Sequence, residues 1–500
     1  MIIFKNKTAR GYIMFKQFQT DIKMSKDEYE KRLLELRTEL IRTQYKFKDY
    51  KRPMILVLTG LDGAGKGDMV NALADVMDSR LLEVATFWQE TDEEAERPYY
   101  FRFWNSMPMG GKLGVYFNGW YERTIRKYID GDDTENIFLD KMKNAEKFEK
   151  MLALDGTVIV KAWAHISKKE QKKRHEKLAN KFDNVPEITE RANWYYAKYD
   201  KIVASAEMAY KTTHTEFAPW EIIDCSDKRY SQIRFLQIIL DSMKKALEDK
   251  MPKGGTTPTD LITFPDVLGS TDLNKTAENY KDELKELVTD IKPLAWEAYE
   301  KGISSMLVFE GWDAAGKGGC IRRLLRAVDL RLSKVISIAA PTQEELSRHY
   351  LWRFWRQVPR AGYMSIFDRS WYGRVLVERI EGYAKPEEWF RSYDEINDFE
   401  EHLAERGVML IKFFLHISSE EQLARFEQRE DIPWKQHKIT EEDYRNRDRT
   451  PEYIDAYNEM FFKTNTKNAP WVVIPANDKK YARLEVLKTV NKTLEKMLKI

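Results

Sequence analysis

Short apolar runs alternate along this chain with longer stretches whose apolar residues recur every three or four positions. The alternation is played through twice. In the first half "EYEKRLLELRTELIRTQ" has the spacing of an amphipathic helix, and "MILVLTG" follows as an apolar run closing on glycine. In the second half "ENYKDELKELVTDIKPLAWEAYEKG" and "SMLVFEG" repeat the pair, and "VISIAAP", "MSIFD", "VMLIKFFLHIS" and "WVVIPA" come after, separated by charged helical segments. A period near 3.6 marks helices, and short continuous apolar runs mark strands buried on both faces. Such strands alternating with helices predict, in each half, a parallel sheet of about five strands flanked by helices. Sheets of this kind bind ligands at the carboxyl ends of their strands.

The two halves share one register. Gly60 corresponds to Gly311, an offset of 311 − 60 = 251, and the same offset pairs "RFW" at Arg102 and Arg353, "WY" at Trp120 and Trp371, "HIS" at His165 and His416, and "APW" at Ala218 and Ala469. A repeat this long is a duplicated domain, since solenoid repeats are far shorter. The expected organisation is an extension at 1–24, a first domain at 25–250, a linker at 251–270 ("MPKGGTTPTDLITFPDVLGS") and a second domain at 271–500.

The apolar run ending at Gly311 leads into "GWDAAGKGG", Gly311–Gly319. A strand, then Gly-x-x-x-x-Gly-Lys, then a helix is the pattern of a P-loop, in which backbone N–H groups and the helix N-terminus receive phosphate oxygens. Gly311, Ala314, Ala315, Gly316, Lys317, Gly318 and Gly319 are accordingly phosphate-binding candidates. Gly318 stands where a magnesium-binding hydroxyl is usual; Asp313, inside the loop, offers a hard cation a carboxylate instead. "SIFDRSWYGR" places a second acid, Asp368, at the end of the third strand, where a Walker B acid belongs. Phosphoryl transfer asks chiefly for positioning and positive charge. Arg353, Arg360, Arg369 and Arg374 supply it, and Arg425, Arg429 and Lys435 lie where P-loop kinases carry a lid. Arg425 and Arg429, four apart, are expected to share a helix face toward the cleft. The candidate catalytic set is Asp313, Lys317, Asp368, Arg369 and Arg374, with Asp313 and Asp368 as metal ligands.

Charge narrows the partners. The formal net charge is +2, so bulk nucleic-acid binding is not expected and anion sites must come from local clustering. Two cysteines, Cys225 and Cys320, form no metal spacing and suit a reducing, cytoplasmic setting. No apolar run is long enough to span a bilayer, so no membrane association is expected.

The motifs "GWDAAGKGG", "RFWRQVPRAG", "FDRSWYGR" and "EQLARFEQRE", in this order, resemble those of the family-2 polyphosphate kinases. The resemblance implies two tandem P-loop kinase-like domains, similar in fold to thymidylate kinase, each with a helical lid. It implies phosphate transfer between inorganic polyphosphate and a nucleotide with Mg2+, Mn2+ being a second candidate. The tandem arrangement resembles the branch that converts AMP to ADP. An ATP-dependent nucleoside-monophosphate kinase, phosphorylation of ADP or GDP, and a polyphosphate-binding scaffold remain alternatives. Assembly as a homo-oligomer is left open.

The offset also exposes an asymmetry. The first half keeps Asp62, Lys66, Arg102 and Arg123, but Phe117 stands at the place of Asp368, Asn118 at Arg369, Met109 at Arg360 and Leu178 at Arg429. Phenylalanine cannot bind magnesium. The second half is therefore expected to catalyse and the first not to. His165 and His416, kept in both halves, are expected to be structural.

Overall fold

The computed structural model describes residues 22–181, 186–248, 263–433, 439 and 441–499. In the first half the strands are β1 (Met54–Gly60), β2 (Leu82–Thr86), β3 (Leu113–Phe117), β4 (Val158–His165) and β5 (Trp220–Asp224). In the second half they are β6 (Ser305–Gly311), β7 (Ser333–Ser337), β8 (Met364–Asp368), β9 (Met409–His416) and β10 (Trp471–Pro475). Each half builds one five-stranded sheet, ordered β2-β3-β1-β4-β5 and β7-β8-β6-β9-β10. Every pairing is parallel. All seven residues of β1 and of β6 are buried, as the centre of a doubly covered sheet requires. The edge strand β7 starts earlier than the run "VISIAAP" suggests. Its pairing with β8 ends at Ser337 opposite Asp368, and the chain then leaves the sheet.

The strand order reverses beside the central strand, because β1 is flanked by β3 and β4 and not by its chain neighbour β2, and β6 likewise by β8 and β9 and not by β7. The crevice at that reversal is the expected ligand site of a doubly wound sheet. Both glycine loops open there.

The described residues fall into two compact units that cross the single cuts expected from the sequence. The first-half segment Glu90–Asn105 belongs to the second unit, and Gln343–His349 to the first. Within the second unit Arg360 makes a two-pronged ion pair with Glu96, at 2.6 and 3.0 Å, and Arg97 donates to the Val358 carbonyl at 3.0 Å. The end of the expected linker is also part of that unit. Leu268 is buried, and the Val267 N–H donates to Asn458 Oδ1 at 3.1 Å. Residues 1–21 of the expected extension and 251–262 of the expected linker lie outside the described residues. Among the described residues no helix is long and apolar enough to cross a membrane.

Candidate active site

The loop of the second half grows directly out of β6. Gly311 has φ 130°, and a Cβ there would lie 2.3 Å from the Leu415 carbonyl oxygen of β9, so only glycine fits. Gly316, φ 109°, turns the chain into the helix Lys317–Ala327. That places Lys317 at the helix N-terminus, where N–H groups and the helix dipole favour an anion. Lys317 Nζ folds back and donates to the Gly311 and Trp312 carbonyls at 2.7 and 3.1 Å. Ala314 holds φ 61°, a left-handed conformation costly for alanine, where the first-half loop has Gly63.

Three carboxylates surround this loop. Asp313 accepts from Arg369 Nη2 at 3.2 Å and from Asn446 Nδ2 at 3.0 Å. Burial alone would raise its carboxyl, yet Lys317, Arg369 and the Asn446 amide together hold it below the ordinary carboxylate range. Asp368, half-buried, ends β8 opposite Phe309 of β6. Glu310, fully inside β6, accepts from Ser370 Oγ at 2.8 Å. Burial pushes Glu310 up, against the pull of Ser370, Lys317 and Arg369. Glu310, Ser370 and Asn446 were missed by sequence reasoning. The signal for Glu310 was a carboxylate inside an otherwise apolar strand run, at the place of Thr59 in the first half.

These oxygens suit a hard divalent cation. The Asp313 carboxyl is held below the ordinary carboxylate range, and the Asp368 side chain makes no hydrogen bond or ion pair among the described residues. Among the described residues there is no group of three or more metal-ligating side chains. Magnesium is commonly held by one or two carboxylates alongside substrate phosphates and water, the ligand count that Asp313 and Asp368 would supply.

The arginines divide into two groups. Arg369, φ 66°, is exposed beside Asp313. Arg374 pairs with Glu378 at 3.1 Å and lies over the Tyr350 ring, Arg353 donates to the Ala339 carbonyl at 3.1 Å, and Arg429 is half-buried on the helix Ser419–Asp431. Arg360 and Arg425 depart from expectation. Arg360 is held by Glu96, as above. Arg425 is buried and does not share an open face with Arg429. It donates to the carbonyls of Ala314, Ala315, Ala476 and Asn477 and to Glu421, so it braces the loop from behind. The reason is local. A tight glycine loop leaves carbonyls without helix or sheet partners, and a buried guanidinium with five donors satisfies several at once. Lys435 lies outside the described residues.

The first-half loop keeps the brace but is ringed by different side chains. Lys66 Nζ donates to the Gly60 and Leu61 carbonyls at 2.9 and 3.0 Å, and Arg174 donates to the Gly63 and Cys225 carbonyls at 3.0 and 2.7 Å. Asp62 is enclosed by His175 at 3.2 Å and Arg191 at 2.8 Å. Phe117 ends β3 where Asp368 ends β8. His416 is structural in kind: its Nδ1 accepts from Trp312 Nε1 at 2.9 Å, which steadies the loop.

A glycine loop and lysine at the switch point of a parallel sheet, ringed by carboxylates and an arginine, define a P-loop phosphotransferase. Comparison with known proteins makes the class specific. The sequence model of Polyphosphate kinase 2 (PPK2) matches residues 23–251 and again 274–500. A polyphosphate:AMP phosphotransferase of Pseudomonas aeruginosa is 40% identical over 490 residues, covering 96% of this chain and 99% of that protein. One of Acinetobacter johnsonii is 35% identical, covering 92% and 96%. A crystal structure of a Pseudomonas aeruginosa PA01 protein assigned to polyphosphate kinase 2 superposes with a TM-score of 0.86 at 40% identity, over 97% of this chain and 99% of the other. The chain belongs to the polyphosphate kinase 2 family.

Proposed function

We propose that the second half moves a phosphoryl group from inorganic polyphosphate to AMP, giving ADP and a polymer one phosphate shorter. The observation that carries the reading is the convergence of Lys317, Asp313, Asp368 and Arg369 on the crevice between β6 and β8. AMP as acceptor is supported by the names of the two relatives that span nearly the whole chain. In the reaction an AMP phosphate oxygen bonds to the terminal phosphorus as that phosphorus leaves its bridging oxygen. The amides of Gly311–Gly319, including Ala314, Ala315, Gly318 and Gly319, receive the phosphates, and Lys317 leaves its loop carbonyls to pair with them. Arg369 and Arg374 balance charge on the transferred group, and Arg353 and Arg429 continue the track for the polymer. Asp313 and Asp368 would hold a divalent cation, Mg2+ first and Mn2+ second, which when bound neutralises charge on the phosphate oxygens. Arg360 and Arg425 have other partners and are left out of the track. With both cysteines buried and free, a cytoplasmic setting suits the protein.

The test is turnover with AMP, ADP, GMP and GDP as acceptors and polyphosphate or ATP as donor. AMP with polyphosphate should be fastest, and Asp368→Asn should lose roughly 100-fold or more of it. Faster turnover with ATP than with polyphosphate would replace this reading with an ATP-dependent monophosphate kinase.

A further inference from the structure

The acid and the arginine that close the site, Asp368 and Arg369, sit on a turn whose conformation the local sequence does not favour. Arg369 has φ 66°. A long side chain in the left-handed region is strained and persists only where its surroundings enforce it. The first half makes the corresponding turn with Asn118, φ 67°, and Gly119, φ 49°, residue types that accept such angles readily. In the second half the chain instead swings Ser370 into extended backbone, φ −152°. That swing carries the Ser370 hydroxyl inward, where it donates to Glu310 Oε1 at 2.8 Å and accepts from the Tyr372 N–H at 3.3 Å. Glu310 and Ser370 are both buried.

The partner positions in the first half are Thr59 and Gly119, so both members of the pair are absent from the half that lacks the acid. There the buried Thr59 hydroxyl and the Asn118 amide nitrogen have no hydrogen-bond partner among the described residues. The buried pair therefore accompanies Asp368 and Arg369, whereas the loop braces Arg174 and Arg425 occur in both halves.

We propose that the buried Glu310–Ser370 hydrogen bond is a latch that holds the Asp368–Arg369–Ser370 turn in its strained form and thereby aims both side chains into the crevice. Glu310 and Ser370 are positioning residues in this account. Neither needs to touch substrate. The inference rests on the site reading given above for Asp368 and Arg369.

Substitution separates a latch from mere packing. The variants are Ser370→Ala, which removes only the hydroxyl; Glu310→Gln, which keeps an acceptor oxygen of the same shape; Glu310→Thr; the double Glu310→Thr/Ser370→Ala; and Asp368→Asn as a control. For each, kcat and KM are measured with AMP and polyphosphate, and Tm by melting. Ser370→Ala and Glu310→Thr should lower kcat by about 10- to 100-fold, the usual consequence of a small misplacement of reacting groups, with KM for AMP moving less than about threefold. Glu310→Gln should recover most of kcat. The double variant should be no worse than the poorer single, because the two residues make one interaction. Ser370→Ala with normal kcat, or a double loss equal to the product of the single losses, overturns the latch. If Glu310→Thr does not fold, Ser370→Ala against Glu310→Gln still decides the matter. An active Asp368→Asn would remove the site reading itself. An inactive Asp368→Asn beside a fully active Ser370→Ala would remove only the latch.

Discussion

Gly318 occupies the position where the usual P-loop carries a hydroxyl, and its surroundings show why glycine there is not a folding requirement. A Cβ added to it meets nothing within 4 Å, in contrast to Gly311, where the β9 backbone blocks any side chain. Gly318 is the second residue of the helix Lys317–Ala327, and glycine in a helix is less stable than alanine by roughly 0.5–1 kcal/mol. Gly318→Ala should therefore stabilise the protein, raising Tm by about 1–4 °C in a unit of this size. The same methyl would stand in front of the amides that receive phosphate. Polyphosphate should then bind more weakly, seen as a raised KM for the polymer. A variant that melts later and keeps its KM would show that the open space at Gly318 serves no substrate.

At the scale of elements, each half carries the same buried ion pair between the fourth strand and the helix before it. In the second half Lys412 Nζ, on β9, lies 2.8 Å from Glu400 Oε2 and also donates to the Thr464 carbonyl and Tyr372 hydroxyl. Tyr372 and Trp371 in turn donate to Glu400 Oε1 at 2.6 and 3.1 Å. Lys161, Glu149, Tyr121 and Trp120 repeat the arrangement in the first half. Because both halves keep it, whereas Asp368 has no counterpart acid in the first half, the network belongs to the fold. Glu400→Leu should cost about 3–5 kcal/mol in denaturant unfolding, because it strands a buried ammonium. Glu400→Leu with Lys412→Met should cost less than the single change, and a single change costing under about 1 kcal/mol would contradict the assignment. This network also marks the limit of what the sequence shows. The inner strands were legible because each is a short apolar run, whereas the partly exposed edge strand β7, Ser333–Ser337, was legible only in part; Asp313, Lys317 and Asp368 stood out as candidates because they follow such runs. Lys412 in "VMLIKFFLHIS" and Glu310 in "SMLVFEG" were not legible as members of buried networks, since most of their partners are distant in sequence. Arg425 was misread for the same reason. A four-residue spacing places two side chains on one face but says nothing about loop carbonyls packed against half of it. Retention of Arg174 at its place in the first half was the available clue.

The whole molecule presents two nearly matched loops, and that symmetry supplies a control for the chemistry. Lys66 and Lys317 each donate to two loop carbonyls at closely similar distances. Replacing either by alanine removes the same local bonds, so the two variants should lose similar stability when melted. Their effects on catalysis should diverge. Around Lys317 stand Asp313, Asp368 and Arg369; around Lys66 stand an Asp62 enclosed by His175 and Arg191, and Phe117 in place of the acid. Lys317→Ala should reduce kcat with AMP and polyphosphate by about 100-fold or more, as loss of a transition-state charge stabiliser does. Lys66→Ala should leave kcat within about threefold of the parent, far below that scale. Equal losses of kcat in two variants that melt alike would mean that both loops do chemistry, and that a carboxylate at the end of the third strand is not needed for it. Unequal losses with equal melting cannot come from the loop bonds, which are shared. They come instead from the groups that differ between the halves, the acid and the arginine of the second half among them.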